Sequence, residues 1–254
     1  MAEKKEVGKY MQINTLHNID CFEGHKQIED SSIDLIYTDL PFNQTRNEWD
    51  CAIDLEQLWK DYKRIIKPNG IIVLHAQGMF SAKLMLSNEK WWRYNLVWKK
   101  GERTSGFLNA KKQPLRNHED IIVMYNKPGT YNVQMTLGTK SHSRGNKGKV
   151  VNNNYGKFDF IEGESENGDM KYPKSILDFD RPHPPIHPTQ KPVELAEWII
   201  KTYSNEGDII LDSTSGSGTI PIACIKTNRN WIAFETDKNY FELANGRIKE
   251  IYKG

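Results

Sequence analysis

The fold of this 254-residue chain is decided by one stretch, Ile209-Ile210-Leu211-Asp212-Ser213-Thr214-Ser215-Gly216-Ser217-Gly218-Thr219. Its apolar start predicts a buried strand that ends at Asp212, and the Gly/Ser-rich residues after it predict a turn. Glycines in such a turn let a ligand approach the backbone closely, and the N-terminus of a following helix offers free N–H groups. Residues 220–227 fit that helix, since Pro221 falls in its first turn, where proline is tolerated.

A carboxylate completes this unit. The next predicted strand, 231–234, ends at Glu235, 23 positions after Asp212. A spacing of about 20 is expected when a carboxylate at that place accepts the ribose hydroxyls of a nucleoside. An ordinary strand-to-helix turn would also fit, and a nicotinamide or flavin site is the chemical alternative, but Pro221 stands where the dinucleotide pattern has its third glycine. S-adenosylmethionine has no pyrophosphate and Asp212 suits its ammonium, so the pattern favours this cofactor.

Outward from this unit, the chain alternates between strand and helix patterns. Short apolar runs predict strands at 32–38, 71–74, 94–98, 121–125, 209–212 and 231–234. Helical spacing predicts helices at 55–66, 78–87, 192–203, 220–227 and 241–252, and Pro68-Asn69-Gly70 predicts a turn. Strands that alternate with helices imply crossover connections. We therefore expect an α/β fold with a doubly wound, mostly parallel sheet of the Rossmann-like kind.

Residues 127–180 interrupt this alternation. They are rich in Gly, Asn, Lys and Ser and sustain no period. A loop of this length is usually either functional or disordered. We interpret it as an insertion between the two halves of one core, residues 1–126 and 181–254.

Composition excludes several classes of protein. With 37% hydrophobic and 27% charged residues, the chain is typical of a globular protein. No apolar run approaches the roughly 20 residues that span a bilayer. No apolar stretch follows residues 1–6, so we expect neither a membrane span nor a signal peptide. Cys21, Cys51 and Cys224 form no CxxC pair, which favours a reducing cytoplasm and argues against a metal site.

Basic residues are concentrated in one segment. Residues 99–157 carry 12 Lys and Arg against three acids, a net charge of +9, whereas the rest of the chain carries −7. A solvated lysine-rich loop would have this composition too, but a field of one sign suits a polyanion whose phosphates it neutralises. The candidate contacts in and beside this segment are Lys111, Lys112, Arg116, Lys140, Arg144, Lys147 and Lys149.

A second motif follows the strand at 32–38, Thr38-Asp39-Leu40-Pro41-Phe42. An exocyclic amino group on adenine or cytosine is a poor nucleophile, because its lone pair is delocalised into the ring. Asp39 and the Leu40 carbonyl can accept hydrogen bonds from both amino protons, which favours an sp³ nitrogen. Phe42 can stack on the base, and Pro41 restrains Leu40 to an extended conformation. Taken alone, the motif also fits a simple turn.

Together these motifs resemble the β group of DNA amino-methyltransferases, which carries an Asp-Pro-Pro-Tyr/Phe motif first, a target-recognition insertion next and the cofactor motif last. The matching segments are residues 39–42, Arg116-Asn117-His118-Glu119-Asp120-Ile121-Ile122-Val123, His187-Pro188-Thr189-Gln190-Lys191-Pro192, the turn at 212–219, and Glu235 with Tyr240 and Arg247. The resemblance implies methylation of an amino group in duplex DNA, with S-adenosylmethionine as the donor and the base flipped out of the helix. It also implies that residues 1–126 form the catalytic half of the core, 127–180 the target-recognition insertion and 181–254 the cofactor-binding half.

The resemblance also implies roles for single residues. Asp39, Leu40, Pro41 and Phe42 would be catalytic, and the cofactor contacts would be Asp20, Cys21, Lys191, Asp212, Ser215, Gly216, Gly218, Thr219 and Glu235. Asp20 and Cys21 would face the adenine of the cofactor, and the segment 187–191 would border its methionine end. An aspartate at position 39 resembles adenine-directed members, so adenine is the expected target base.

Two departures from the family pattern concern the loops of this site. Leu40 replaces the family's first proline, which reduces the rigidity of residues 39–42, called here the acceptor loop. Ser213 and Thr214 stand where the family usually has proline and phenylalanine, which removes an aromatic neighbour of the cofactor.

The residues leave alternatives open. Cytosine is the alternative target base. RNA or a protein glutamine is an alternative substrate, although the basic insertion favours nucleic acid. A DNA-binding module without catalysis is the alternative outside the enzymes. A monomer or a homodimer would suit the chain, and a partner nuclease is not visible in the sequence. Prolines separate His183 from His187, so no metal site is expected.

Overall fold

The computed structural model describes residues 11–42, 52–138, 169–186 and 189–252. The strands in these ranges are β1 (Thr15–His17), β2 (Ile33–Thr38), β3 (Ile66–Ala76), β4 (Trp92–Lys99), β5 (His118–Met124), β6 (Thr136–Leu137), β7 (Met170–Lys171), β8 (Ile176–Asp178), β9 (Ile209–Asp212) and β10 (Asn230–Phe234). The helices are α1 (Cys21–His25), α2 (Leu55–Ile65), α3 (Met79–Ser87), α4 (Val193–Tyr203), α5 (Thr219–Lys226) and α6 (Lys238–Ile251), with a 3₁₀ turn at Phe107–Asn109. None of the described helices is long and apolar enough to cross a membrane.

A single large sheet organises the main unit. Its strand order is β1-β10-β9-β2-β3-β5-β4-β8. β5 pairs antiparallel with β3 and with β4, and the other pairs in this sheet are parallel. The predicted α/β fold with a mostly parallel sheet is therefore confirmed.

Helices cover both faces of this sheet. On one face, Leu35 and Tyr37 of β2 pack in a core cluster that includes apolar residues of α4, α5 and α6. On the other face, Ile36 of β2 and Leu74 of β3 pack in a second cluster with residues of α2 and α3. Side chains alternate between faces along a strand, and burial on both faces explains why these strands are nearly continuous apolar runs.

The predicted turn at Pro68-Asn69-Gly70 lies inside a strand. β3 begins at Ile66, directly after α2, and its register against β2 shifts between the pairs Ile33–Ile66 and Leu35–Ile71. Extra residues in one strand of a pair form a bulge, which accommodates a proline that cannot donate a hydrogen bond. Pro68 is exposed at this bulge, so the expected chain reversal is replaced by an irregular strand start.

Several short elements were not predicted, among them three that belong to or adjoin the large sheet. β1 and α1 contain three and five residues, and β8 contains three, so none is long enough to show a hydrophobic period. β8 falls within the predicted insertion 127–180, yet it pairs with β4 in the large sheet.

The chain divides into two compact units. One extends to Asn132 and resumes at Ser175, and the other comprises Val133–Lys174. In the smaller unit, β6 and β7 pair antiparallel, with Thr136 opposite Lys171. The assignment of 127–180 to target recognition stays a prediction, and most of its basic residues lie outside the described ranges.

Candidate functional site at the carboxyl ends of the strands

The ends of neighbouring parallel strands bring four carboxylates together. β1 ends at His17 beside Phe234, and β9 ends at Asp212 beside Ala233. Loops at this edge are where doubly wound sheets bind ligands. In this protein the loops at this edge line a cavity of about 460 Å³. The carboxylates that these loops contribute to its lining are Asp20, Asp39, Asp212 and Glu235.

The glycine turn, residues 212–219, is bound to the Glu235 carboxylate. The Gly216 N–H donates to Glu235 Oε2 at 2.7 Å, and the Asp237 N–H donates to Oε1 at 2.8 Å. Gly216 and Gly218 have φ values of +53° and +76°, in the left-handed region that favours glycine. Burial raises the pKa of Glu235, and the backbone hydrogen bonds offset only part of that shift. Each carboxylate oxygen has a further lone pair, so this fixed side chain can still accept from a ligand.

Helix α1 forms another wall of the cavity with Asp20 and Cys21. Asp20 Oδ1 caps this helix by accepting from the Phe22 N–H at 2.9 Å. Gly24 permits close packing, because a Cβ at this position would lie 2.5 Å from the Phe234 ring. Burial raises the pKa of the Cys21 thiol to about 12, so this wall carries a neutral thiol near pH 7.

Asp212 is buried at the start of the glycine turn. Its Oδ1 accepts from Thr38 Oγ1 at 3.0 Å and from the Thr214 N–H at 3.3 Å. Burial raises its pKa to about 7, although these hydrogen bonds and the Ser215 hydroxyl lower it. A cation nearby stabilises a buried carboxylate in its ionised form. Asp212 therefore favours a positively charged ligand group.

The two carboxylate oxygens of Asp39 have different surroundings. Oδ2 accepts from Lys191 Nζ at 2.5 Å. Oδ1 is buried and has no hydrogen-bond partner among the residues that the structure describes. Burial raises the pKa of Asp39; Lys191 lowers it, and the negative charge of Glu119 raises it further. Since an unpaired buried acceptor is costly, Oδ1 favours a ligand that donates a hydrogen bond.

Lys191 belongs to a buried cluster of charges beside Asp39. Its Nζ lies 3.3 Å from Glu119 Oε2, and Lys100 Nζ donates to Glu119 Oε1. Burial lowers the pKa of Lys191, but Asp39 and Glu119 outweigh this and raise it. Burial raises the pKa of Glu119, but Lys191, Lys100 and His75 outweigh it and lower the value to about 2. Lys191 and Glu119 are thus both charged near pH 7.

These contacts place the Lys191 ammonium beside Asp39, a position that the sequence did not predict. The resemblance assigned it to the methionine end of the cofactor, whereas its ammonium contacts Asp39 and Glu119 of the acceptor side. Lys100 and His75 were missed altogether, and Glu119 was noted only as part of a matching segment. The available signal was a glutamate just before the apolar run Ile121–Met124, in a strand that pairs Glu119 with Trp98.

Apolar packing holds the rest of the acceptor loop, residues 39–42. Leu40 is only 2% exposed and lies in the core cluster that contains Leu74 and Phe80. Phe42 packs on Phe80 with ring centroids 5.2 Å apart, and both Pro41 and Phe42 line the cavity. Burial of the Leu40 side chain therefore restrains the loop at the position where the family has its first proline.

The two departures in the glycine turn form hydrogen bonds that proline and phenylalanine side chains cannot form. Tyr62 Oη donates to Ser213 Oγ at 2.8 Å, and His25 Nε2 lies 2.9 Å from the same oxygen. Thr214 Oγ1 donates to the Asp39 carbonyl at 3.0 Å and lies 2.9 Å from Thr38 Oγ1. Thr214 thus links the glycine turn directly to the acceptor loop.

The remaining predicted contacts divide between the cavity, the surface and undescribed residues. Ser215, Gly216, Thr219 and Arg116 line the cavity, whereas Gly218 caps α5. Lys111 and Lys112 are exposed between β4 and β5. Lys140, Arg144, Lys147 and Lys149 lie outside the described residues.

Comparison with known proteins agrees with this geometry. A family model described as "DNA methylase", of the N6/N4 methyltransferase class, matches residues 33–246. Type II methyltransferase M.HpaI of Haemophilus parainfluenzae is 28% identical over 246 residues, which cover 90% of this chain and 72% of that protein.

Solved structures share the fold. The M1.HpyAVI–SAM complex superposes with a TM-score of 0.61 at 22% identity, covering 91% of this chain and 98% of the other. The cytosine-N4-specific PvuII DNA methyltransferase superposes with a TM-score of 0.67 at 15% identity, covering 96% and 93%. The family model spans most of the chain and confirms the resemblance seen in the motifs, so the chain belongs to the N6/N4 DNA methylase family.

Proposed function

We propose that this protein transfers a methyl group from S-adenosylmethionine to the exocyclic amino group of adenine in duplex DNA. The observation that carries the proposal concerns Asp39, which lines the same cavity as the glycine turn and whose buried Oδ1 has no hydrogen-bond partner among the described residues. An amino group that donates to Oδ1 and to the Leu40 carbonyl would be drawn toward sp³ geometry. Its lone pair would then be available to attack a methyl group.

The residues at the cofactor end fit S-adenosylmethionine. Glu235 presents a fixed carboxylate for the ribose hydroxyls, and buried Asp212 favours the ammonium. The M1.HpyAVI structure, which shares this fold, is a SAM complex. When bound, the cofactor supplies an electrophilic methyl group, and this chain supplies its position next to the acceptor loop.

Asp39 also suits the proton balance of the reaction. The nitrogen gains a methyl group as the bond from that group to sulfur breaks, and one amino proton must leave. Lys191 is protonated and holds Oδ2, so Oδ1 is the oxygen that can accept this proton. The raised pKa of Asp39 favours that acceptance.

Adenine is proposed over cytosine because an aspartate occupies position 39. Cytosine is the second candidate, because the PvuII enzyme with the same fold is cytosine-N4-specific. Duplex DNA is proposed over RNA or protein because M.HpaI is a Type II methyltransferase and the family is one of DNA methylases. Cys21 and Cys224 are free, buried thiols, which suits the proposed cytoplasmic location.

Expression in a methylation-deficient host, followed by sequencing of modified bases, tests this function. We expect N6-methyladenine at one short recurring sequence. N4-methylcytosine would favour the second candidate, and unmodified DNA from a protein that binds S-adenosylmethionine would favour a DNA-binding module without catalysis.

Replacing Glu235 with alanine should weaken cofactor binding by about 10- to 100-fold, because charge-assisted hydrogen bonds to the ribose are lost. The change also removes the acceptor of the Gly216 N–H in the glycine turn and of the Asp237 N–H at the start of α6. Calorimetric titration with S-adenosylmethionine measures the effect. Glu242→Ala, an exposed glutamate on α6, is the matched control. An unchanged affinity in Glu235→Ala would show that the ribose assignment is wrong.

Replacing Thr214 with valine should lower kcat by about 2- to 10-fold, the usual range for one lost hydrogen bond. Valine keeps the shape but cannot donate to the Asp39 carbonyl, so the acceptor loop is held less firmly. Thr214→Ser keeps the donor and should retain most activity. Steady-state kcat and cofactor affinity are measured together. If affinity falls and kcat does not, Thr214 serves the cofactor pocket instead of the loop.

A further inference from the structure

Residues 101–117, between β4 and β5, form a structured loop whose tip is a 3₁₀ turn. The Ser105 N–H donates to the Arg116 carbonyl at 2.7 Å, and the Arg116 N–H donates to the Ser105 carbonyl at 3.1 Å. The two backbone segments at the base of the loop are therefore paired. Gly106 has a φ of +84° and starts the 3₁₀ turn at Phe107–Asn109. This tip is an ordered turn at the end of a closed base, and we call residues 101–117 the β4–β5 loop.

Two large apolar side chains at this tip face solvent. Phe107 is 76% exposed and Leu108 is 87% exposed, the highest value among the large apolar residues in the described part of the chain. Residues 107–115 are exposed throughout, so the tip packs on no core of its own. Adjacent exposed apolar residues on an ordered turn indicate a surface that is covered by a partner.

The tip lies at the edge of the cavity that holds the acceptor loop. Ser105 and Gly106, which directly precede Phe107, line that cavity, and so does Arg116 at the other side of the base. Asp39 and Phe42 line it as well. A base that enters the cavity would leave its duplex close to this tip.

The charge around the tip fits a polyanion. No acidic residue stands between Arg103 and His118, whereas Arg103, Lys111, Lys112 and Arg116 are basic. Cations of this density repel a second copy of the same loop and attract a phosphate backbone. The combination of an apolar tip with a basic surround is that of proteins that insert side chains between base pairs.

We infer that Phe107 and Leu108 insert into the base stack of duplex DNA and fill the space left when the target base enters the cavity. This inference rests on the proposed function, since it assumes a base in a duplex as the substrate. Flipping a base costs its pairing and stacking, and side chains that occupy the gap hold the flipped state open. Lys111, Lys112 and Arg116 would bind the phosphates on either side.

The test compares Phe107→Ala/Leu108→Ala with wild type on duplex oligonucleotides that carry the sequence methylated in the host experiment. We expect kcat/KM on the paired duplex to fall by about 10-fold or more, because flipping is less favourable. On the same duplex with a mismatch at the target base, the kcat/KM of the variant should lie within about 3-fold of the wild-type value on that mismatched duplex, since a mismatched base costs less to extrude. Leu86→Ala, equally exposed at 76% on α3, is the matched control and should match wild type on both substrates.

The outcomes separate the inference from the function on which it rests. A wild-type protein that methylates neither duplex overturns both. A wild type that methylates the paired duplex, with a double variant of equal activity, overturns the insertion alone. A defect of the same size on the mismatched duplex also overturns it, because loss of general contact and not of base flipping would then explain the effect. Unchanged thermal unfolding of the double variant shows that the fold is intact.

Discussion

Asp39→Ala should abolish methyl transfer, with kcat lower by about 10²–10³-fold or more, the range seen when one preorganised hydrogen-bonding group is removed from an active site. Alanine removes both Oδ1, which has no hydrogen-bond partner among the described residues, and Oδ2, which binds Lys191. Cofactor affinity should change little, since Glu235 and Asp212 are untouched. Single-turnover methylation of the mapped duplex and calorimetric titration with S-adenosylmethionine give the two quantities.

Two further variants test whether the loss of activity comes from the missing acceptor oxygen of Asp39. Asp39→Asn keeps one acceptor oxygen without the charge, so its activity should lie between those of the wild type and Asp39→Ala. Asp30→Ala removes a carboxylate that is 73% exposed and should leave activity unchanged. Activity of Asp39→Ala within 10-fold of wild type would mean that another group polarises the amine, and the acceptor assignment would fail.

Asp39 should also set the acid limit of activity. An acceptor must be unprotonated to bind an amino proton, and burial raises the pKa of this carboxyl above its ordinary range. As the pH falls through that raised pKa, the acceptor is lost and kcat declines. Because Asp212 also titrates near pH 7, kcat is measured with S-adenosylmethionine saturating. The acid limb should then lie at higher pH than an exposed aspartate would give, and it should be absent in the residual kcat of Asp39→Asn.

The sequence predicts those site residues that lie at the carboxyl ends of parallel strands. Asp39, Asp212 and Glu235 each follow a recognisable apolar run, and the carboxyl ends of parallel strands share one edge of a sheet. Their meeting in one cavity therefore follows from the order of the motifs. Asp20 was placed by resemblance alone, because α1 is too short to carry a period.

The charge cluster beside Asp39 could not be predicted in the same way. It depends on β5 running antiparallel between β3 and β4, which places Glu119 near Lys100 across the β4–β5 loop. No spacing rule connects Lys191 to either residue, since they belong to different elements. Whether a charged residue near a strand end is buried is decided by tertiary packing, which local patterns do not contain.

The structure explains the family departures through packing and hydrogen bonds that residue identity alone did not reveal. Leu40 was expected to loosen the acceptor loop, yet its side chain is almost fully buried. Thr214 was expected only to remove an aromatic side chain next to the cofactor, yet its hydroxyl donates to the Asp39 carbonyl. The two changes are therefore connected: the loop lacks one proline and gains a hydrogen bond from the turn opposite.

Glu119→Gln should have the largest effect on stability, about 3–5 kcal/mol, because it removes the one anionic partner that buried Lys100 has in the described part of the chain. The effect should depend on pH in a defined direction. The pKa of Glu119 is lowered from 4.5 to about 2, so its ion pairs stabilise the fold fully above pH 4.5 and are lost as the pH falls toward 2. That shift corresponds to a contribution on the order of 3 kcal/mol.

Denaturant unfolding of both proteins at a series of pH values measures this difference. The advantage of wild type over Glu119→Gln should be constant near neutral pH and shrink below about pH 4.5, because the carboxyl binds a proton there in the unfolded chain, whereas in the folded protein it does so only near pH 2. Glu89→Gln makes the same chemical change on an exposed side chain and should shift stability by less than about 0.5 kcal/mol. A wild-type advantage that does not narrow in acid would mean that Glu119 stabilises through shape and neutral hydrogen bonds. Lys191 would then be held beside Asp39 by Asp39 itself, and the charge cluster would have no part in keeping the acceptor ionised.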